Sequence, residues 1–147
     1  MAHGVSQIHA ALVTALTGLT TTSTRVYDDE TIAINVDAGA ALRVLDDGEE
    51  QIEYLTQKAP RTLYRHVTFS VHSLCKAANA KGTLNTSLAE IEAALYTNRT
   101  LGGIARDVRP ERIDKNYSDD LDKRVGEAVI TVAVDWVCVE GSPQTPT

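Results

Sequence analysis

The sequence predicts an α+β domain: a mostly antiparallel sheet with long strands and hairpin arms, and two main helices packed on one face. Two segments show helical periodicity and several alternate at period two, in the order helix, strands, helix, strands. A chain of 147 residues with 43% hydrophobic and 23% charged residues is typical of one globular domain. We expect that domain to span residues 1–139, with residues 140–147 as a flexible C-terminal tail.

The first helix is indicated by a stripe of apolar residues near the start of the chain. Gaps of three and four residues place them on one side of a helix, which Gly18 and the threonine-rich run "TTTST" end. The stripe consists of Val5, Ile8, Leu12, Leu16 and Leu19. Next, "TRVYDDE" is typical of a short strand entering an acidic turn, and "TIAINVDAGA" of a weaker strand or loop.

A hairpin with an acidic tip is predicted over residues 41–55. The segments "ALRVL" and "QIEYL" alternate between apolar and polar residues, and Asp46, Asp47 and Gly48 between them form a turn signal. We therefore place a tip at residues 46–50.

Two segments predict unusually long strands. "RTLYRHVTFSVHSLCKA" alternates over its whole length, and "RVGEAVITVAVDWVCVEG" carries an apolar residue at each even position from Ala128 to Cys138. A straight strand of about fifteen residues reaches roughly 50 Å, whereas a compact chain of this length is about 40 Å across. Either the strands bend at bulges and wrap their own core, or their ends pair with a neighbouring subunit.

The second helix is predicted from "TSLAEIEAALYTN", where Ser87 and Glu90 have the spacing of a capping box. Its buried stripe is Leu88, Ile91 and Leu95. A strand follows from Ile104 and is kinked or ended by Pro110. A turn at residues 118–120 then leads into the last long strand, which predicts a C-terminal hairpin.

Charge is unevenly distributed along the chain. The net charge of −6 disfavours general binding to nucleic-acid phosphates or anionic membranes. Residues 28–53 hold nine acids and only Arg43 as a base, whereas residues 54–81 hold five bases and no acid. These segments are either two solvated faces or two complementary surfaces that meet head to tail in a closed ring. The apolar start fits neither a signal peptide nor a membrane span, which predicts synthesis in the cytoplasm and no membrane partner.

Residues that could carry catalysis are sparse. Cys75 and Cys138 lie in apolar strand patterns and are interpreted as buried free thiols. His66 and His72 are interpreted as surface side chains, because six residues of strand separate them by about 20 Å, too far for one metal ion. We predict no enzyme activity, no metal and no cofactor.

Two acidic clusters keep one enzymatic alternative open. They lie at residues 28–30 and 119–122 and could hold a divalent cation for phosphodiester chemistry. Aspartate is also common in turns, because its side chain bonds the local backbone. A metal-dependent phosphodiesterase is therefore the less favoured hypothesis.

The order of these segments resembles a known family. The segments "IHAALVTALTGL", "TRVYDDE", "ALRVL", "RHVTFSVHSL", "LAEIEAALYTN", "LGGIARDV" and "RIDKNYSDDLDKRVGEAVITVAVDW" together resemble the tail terminator (tail completion) proteins of long-tailed bacteriophages. The resemblance extends from about Ile8 to Trp136. It implies an α+β subunit of the virion that forms a hexameric ring on the finished tail tube, at the neck, and catalyses nothing.

The resemblance also implies partners. They are further copies of the chain, the tail tube protein, a head–tail neck or connector protein, and DNA only in transit through an acidic lumen. The segment 46–61 is longer than the simplest members require, so another neck ring, such as a head-closure protein, is the alternative. Candidates for subunit or tube contacts are Asp46, Asp47, Glu49, Glu50, Lys58, Arg61 and Arg65. Candidates for the lumen are Asp28, Asp29, Glu30, Asp119 and Asp120.

Overall fold

The computed structural model describes residues 2–28, 31, 33–36, 39–119 and 124–147, except for the side chains of residues 118, 119 and 124. Its helices and strands, in chain order, are α1 (Gly4–Leu16), β1 (Val26–Tyr27), β2 (Ala41–Tyr54), β3 (Thr62–Ala77), α2 (Ala80–Thr97), β4 (Asp107–Asp119) and β5 (Arg124–Val139). No described helix combines the length and apolarity needed to cross a membrane.

The strands form one five-stranded sheet in the order β1-β2-β3-β5-β4. Every neighbouring pair is antiparallel except β1 and β2. Both helices pack on one face, which we call the helix face. The opposite face, called the open face, carries no helix of the described chain and presents the even-numbered residues of β3 from Tyr64 to His72. The α+β class predicted from the sequence is confirmed.

The core lies between the helix face and the two helices. Ile8, Leu12 and Leu16 of α1 are fully buried there, as their spacing predicts. Leu19 lies beyond the helix, in a turn where it pairs with Ser23. From α2 come Leu84, Leu88, Ile91 and Leu95, and from the sheet Phe69, Ile130 and Trp136. Each of these large side chains removes apolar surface from water, which drives folding.

The two long strands are β3 and β5, and they occupy the middle of the sheet. They pair with each other from Thr62↔Val139 to Ala77↔Arg124, and each has a second neighbour in the same chain. The alternative in which these two strands pair with a neighbouring subunit is therefore wrong, because β3 lies between β2 and β5, and β5 lies between β3 and β4. On one side of the sheet the outer strand is β4. On the other side the short β1 covers only a small part of β2, so most of β2 is also an outer strand. Within the described residues, pairing with a neighbouring subunit is open only to the outer strands β4, β2 and β1.

The predicted hairpin over residues 41–55 is also wrong, because β2 is one continuous strand that pairs with β3. Its register shifts between Asp46 and Glu50, which marks a bulge. Gly48 adopts a φ of +78°, and its N–H donates to Asp46 Oδ1 at 2.8 Å. The Asp-Asp-Gly signal thus forms a bulge within a strand. The real hairpin joins β2 to β3, with residues 55–61 at its tip.

Helix α2 begins seven residues earlier than the predicted capping box. Its N-cap is Asn79, whose side chain accepts a hydrogen bond from the Gly82 N–H at 3.1 Å. Ser87 is instead buried within the helix, 2.9 Å from the Ser73 hydroxyl of β3. Glu90 accepts from the Thr21 N–H at 2.9 Å. The capping-box prediction is wrong because both residues serve tertiary contacts.

The C-terminal part of the chain pairs β4 with β5 as predicted, but β4 includes residues 118 and 119, so the turn predicted at 118–120 is wrong for these two residues. Residue 120 lies outside the described residues. Strand β4 continues through Pro110, with a register shift between Pro110 and Arg112. Residues 140–147 cross the start of α1, where Gly4 N–H donates to Pro143 O at 2.8 Å. Thr147 N–H also donates to Val137 O at 2.8 Å. Backbone hydrogen bonds therefore hold a segment that has no apolar anchor, and its flexibility stays a prediction.

Candidate interaction surface

A groove crosses the middle of the open face. Its floor is formed by Thr68 of β3 and Ala133 of β5, which are directly paired. On β4, Arg109 pairs with Ala133. Small side chains between larger ones leave a depression of about 330 Å³, which is also lined by Gln51 and His66.

Two bulges place one glutamate at each side of this groove. In β2, Asp46 pairs with Phe69 and Glu50 with Val67, so residues 47–49 lie opposite Thr68 alone. In β4, Pro110 pairs with Val132 and Arg112 with Thr131, which leaves Glu111 as the inserted residue. Bulges re-aim side chains at sheet edges. As a result Glu49 and Glu111 both line the groove, from opposite edges of the sheet.

A buried carboxylate organises the side chains beside the groove. Asp135 of β5 is 5% exposed and accepts hydrogen bonds from Tyr64 Oη at 3.0 Å and Arg109 Nη1 at 2.7 Å. His66 Nδ1 makes a third contact with it. Burial alone would raise the pKa of Asp135, but the hydrogen bonds from Arg109, His66 and Tyr64 together lower it below its ordinary value. Three donors on one carboxylate hold all of these side chains in place.

The same network shifts the pKa of Tyr64 and the pKa of Arg109. Burial raises the pKa of Tyr64, and its hydrogen bond to Asp135 acts in the same direction. The hydrogen bond to Asp135 raises the pKa of Arg109 further. Arg109 also contacts Asp107 at 3.4 Å and Glu111 at 3.7 Å.

The groove and its borders have an excess of negative charge. Arg109 is the guanidinium at its centre, and four carboxylates lie around it, from Glu49, Asp107, Glu111 and Asp135. The balance stays negative whether or not His66 carries a proton. Such a groove attracts a cationic group and repels an anion.

A second surface is the arm, which we define as residues 52–61, including the hairpin tip at residues 55–61. All of residues 52–60 are exposed. Among them Ile52, Tyr54 and Leu55 are large apolar side chains, with exposed fractions of 47%, 53% and 54%. Lys58 is exposed at the tip. Exposed apolar side chains grouped on a projecting element are typical of a contact surface.

The structure brings some of the predicted contact residues together within one chain. Glu50 and Arg65 form an ion pair at 2.6 Å, and Arg65 is 9% exposed and stacks on Trp136. Arg61 pairs with Glu140 at 3.1 Å. Because β2 and β3 are antiparallel neighbours, the acidic and basic segments lie side by side. The interpretation of these segments as two separate surfaces is therefore wrong for Glu50 and Arg65.

The other predicted contact residues lie on the surface. Asp46 accepts from the Gly48 backbone, Asp47 accepts from Ser70, and Glu49 and Lys58 are exposed. Their roles in subunit or tube contacts stay predictions.

The lumen candidates are only partly described. Asp28 is exposed and borders a second pocket beside His9 and His72. Asp119 is described by its backbone only, and Asp29, Glu30 and Asp120 lie outside the described residues. Within the described residues, no three His, Cys, Asp or Glu side chains are arranged to hold a metal ion.

The sequence analysis missed Asp135, Arg109 and Glu111 as site residues. A lone acid in the apolar run "AVITVAVDWVCV" was the available signal for Asp135. His66 and His72 are half-buried, and each contacts a carboxylate of β5. Their interpretation as plain surface histidines is therefore wrong.

The prediction for the cysteines is confirmed, because Cys75 and Cys138 are both buried free thiols. Burial raises the pKa of the Cys75 thiol. Neither cysteine lines the groove.

Comparison with solved structures shows a loose likeness. No family model matches the chain, and no curated protein matches it. Among solved structures, it is similar to a chain from "Virion of native gene transfer agent (GTA) particle", with a TM-score of 0.43 and 20% sequence identity. The alignment covers 90% of this chain and 92% of that chain. The likeness is loose at this score and identity, and it carries no functional weight.

Proposed function

We propose that this protein is a structural subunit of a phage virion that caps the tail tube as a hexameric ring. It ends tube polymerisation and presents a surface for joining the head, while DNA passes through the ring. The proposal rests on two supports. The sequence segments, taken in their order along the chain, resemble those of tail terminator proteins, and the surfaces described above are available for contact.

The arm is the observation that carries the proposal. A chain that works alone gains nothing from three large apolar side chains on an exposed hairpin, because water around them costs free energy. The open face adds a groove whose charge is not balanced. Both features are accounted for if the surfaces are covered by other subunits.

Termination follows from competition for a surface. The ring binds the last layer of the tube through one side, in the way that a further tube subunit would. Its other side lacks the groups that the next tube subunit needs, so growth stops there. The same side later receives the neck of the filled head.

Tube length tests this function directly. Purified protein is mixed with polymerising tail tube subunits, and lengths are measured by negative-stain electron microscopy. We expect shorter tubes with extra density at one end. An unchanged length distribution without end density contradicts the proposal.

A matched pair of variants tests whether the arm is used. Leu55→Ser removes an exposed apolar side chain of the arm, and Tyr96→Ser removes one on α2 that is 73% exposed. We expect Leu55→Ser to weaken capping and Tyr96→Ser to leave it unchanged. Equal effects of the two variants would remove the arm from the mechanism.

A further inference from the structure

We propose that the arm of one copy docks into the groove of a neighbouring copy, with Lys58 placed between Glu49 and Glu111. This inference rests on the self-association part of the proposed function and names the two surfaces that meet. It assigns a role to both bulges, which folding alone does not require.

Charge complementarity favours this occupant. The groove has an excess of carboxylates, and its guanidinium, from Arg109, is bonded to Asp135 at 2.7 Å and lies 3.7 Å from Glu111. Residues 54–61 contain two bases and no acid. Arg61 is paired with Glu140, so Lys58 is the base that the tip presents to a partner.

The dimensions of the two surfaces also match. Glu49 and Glu111 lie on the two outer long strands, three strand spacings apart, which is about 14 Å. The arm is a two-stranded hairpin whose strands lie about 4.8 Å apart. A ribbon of that width with its side chains fits between the two glutamates, above the small side chains of Thr68 and Ala133.

The arm that fills the groove must come from another copy. Gln51 lies at the groove, and β2 continues from there to Tyr54. Leu55 follows at the tip, about 13 Å from Gln51 along the direction of the strand. The strand directs a chain's own tip away from its own groove. Arm and groove are different surfaces, so the contact is head to tail, and repeated contacts close into a ring where the rotation allows it.

Docking also covers Leu55 of the arm. Leu55 lies at the tip and would come to rest over the floor formed by Thr68 and Ala133. Removing the Leu55 side chain from water also favours docking, in addition to the ion pair, and this hydrophobic contribution has no preferred direction. The polar rim then sets the register of the two copies.

A charge-swap series tests the contact by sedimentation velocity over a range of concentrations. Lys58→Glu and Glu111→Lys each place like charges together and should weaken self-association about tenfold or more. The double variant restores the pair with residue 111, while Glu49 still opposes residue 58, and it should regain part of the loss. Lys81→Glu, the same charge change on exposed α2, should have no effect. Failure of the double variant to recover from two weakened single variants overturns the pairing.

Site-directed crosslinking tests the same contact when wild-type association is weak. Lys58→Cys and Glu111→Cys variants are mixed at high concentration and oxidised, while the natural cysteines are buried. We expect a covalent dimer well above the level of a control pair, Lys58→Cys with Glu92→Cys on α2. A yield no higher than the control overturns the proposal. So does preferential crosslinking of Glu111→Cys to a cysteine-bearing tube subunit, which would place another chain in the groove.

These outcomes are separable from failure of the proposed function. Crosslinked copies that leave tube lengths unchanged would support the docking and reject the tail role. If the wild-type protein caps tubes but the cysteine variants do not crosslink, the tail role is supported and the docking is rejected.

Discussion

The two faces of the sheet use the same strands for different purposes. On the helix face of β3, every second residue from Leu63 to Cys75 is buried. On the open face, the alternating residues of β3 from Tyr64 to His72 are half-exposed and polar. Four of them contact a carboxylate, namely Tyr64, His66, Ser70 and His72. The first face stabilises the fold by removing apolar surface from water. The second keeps a defined arrangement of charges available for contact.

Each face contains an exception that clarifies the rule. On the helix face Arg65 is buried, but it pairs with Glu50 and stacks on Trp136. On the open face Asp135 is buried, and three donors surround it. Both charges are tolerated because their hydrogen-bonding partners offset the desolvation cost of a buried ion.

The largest expected effect separates the faces at adjacent positions of one strand. Phe69→Ala should lower the free energy of unfolding by about 3–5 kcal/mol, because a fully buried ring leaves a cavity. Ser70→Ala, on the open face, should cost about 1 kcal/mol or less, the loss of one exposed hydrogen bond to Asp47. Urea denaturation followed by circular dichroism measures both. Similar losses for the two variants would erase the distinction between the faces.

A smaller effect is expected at the buried carboxylate of the open face. Asp135→Asn should cost about 1–3 kcal/mol, because Arg109 keeps its charge while its strongest partner becomes neutral. The exposed control Asp114→Asn, which loses an ion pair with Arg112, should stay within about 0.5 kcal/mol of wild type. A loss at Asp135 no larger than that control would show that the cluster does not stabilise the fold.

The smallest expected effect is the pH dependence of the contribution that Asp135 makes to stability. The folded-state pKa of Asp135 is lower than the unfolded-state pKa, because Arg109, His66 and Tyr64 outweigh the effect of burial. Its ionised form therefore contributes stability above the unfolded-state pKa, and this contribution is lost as pH falls through the folded-state pKa. The difference between wild type and Asp135→Asn should be complete at pH 7 and shrink below about pH 4. Urea titrations at pH 7, 5 and 3 measure it, and a difference that grows in acid contradicts the assignment.

The helix face could be predicted closely from the sequence, because burial leaves a periodic pattern. The stripes of α1 and α2 and the alternation of β3 and β5 are visible as gaps of three, four or two residues. These features depend on the residue types within one segment. Few other parts of the molecule can be predicted from the residue types of a single segment.

The open face could not be predicted in the same way, because it depends on register. The sequence "DDG" is compatible with a turn or a bulge, and pairing of β2 with β3 on both sides of it selects the bulge. Glu111 likewise follows Pro110 in a segment that fits several strand registers. Which acid faces which base is decided only when four strands lie side by side.

Local motifs also failed where tertiary contacts competed with them. Ser87 and Glu90 have the spacing of a capping box, but Ser87 contacts Ser73 and Glu90 contacts Thr21. Helix α2 begins earlier because Asn79 caps its N-terminus. A motif of two residues carries too little information to override such contacts.

Pro110 has a consequence for how copies of this protein can meet. The outermost strand β4 contains a residue without a backbone donor, followed at once by the irregular spacing around Glu111. An incoming strand that tried to extend the sheet sideways would lose a regular ladder at this point. Edge-to-edge association of sheets into fibres is therefore disfavoured. The open face is left as the favoured surface for assembly.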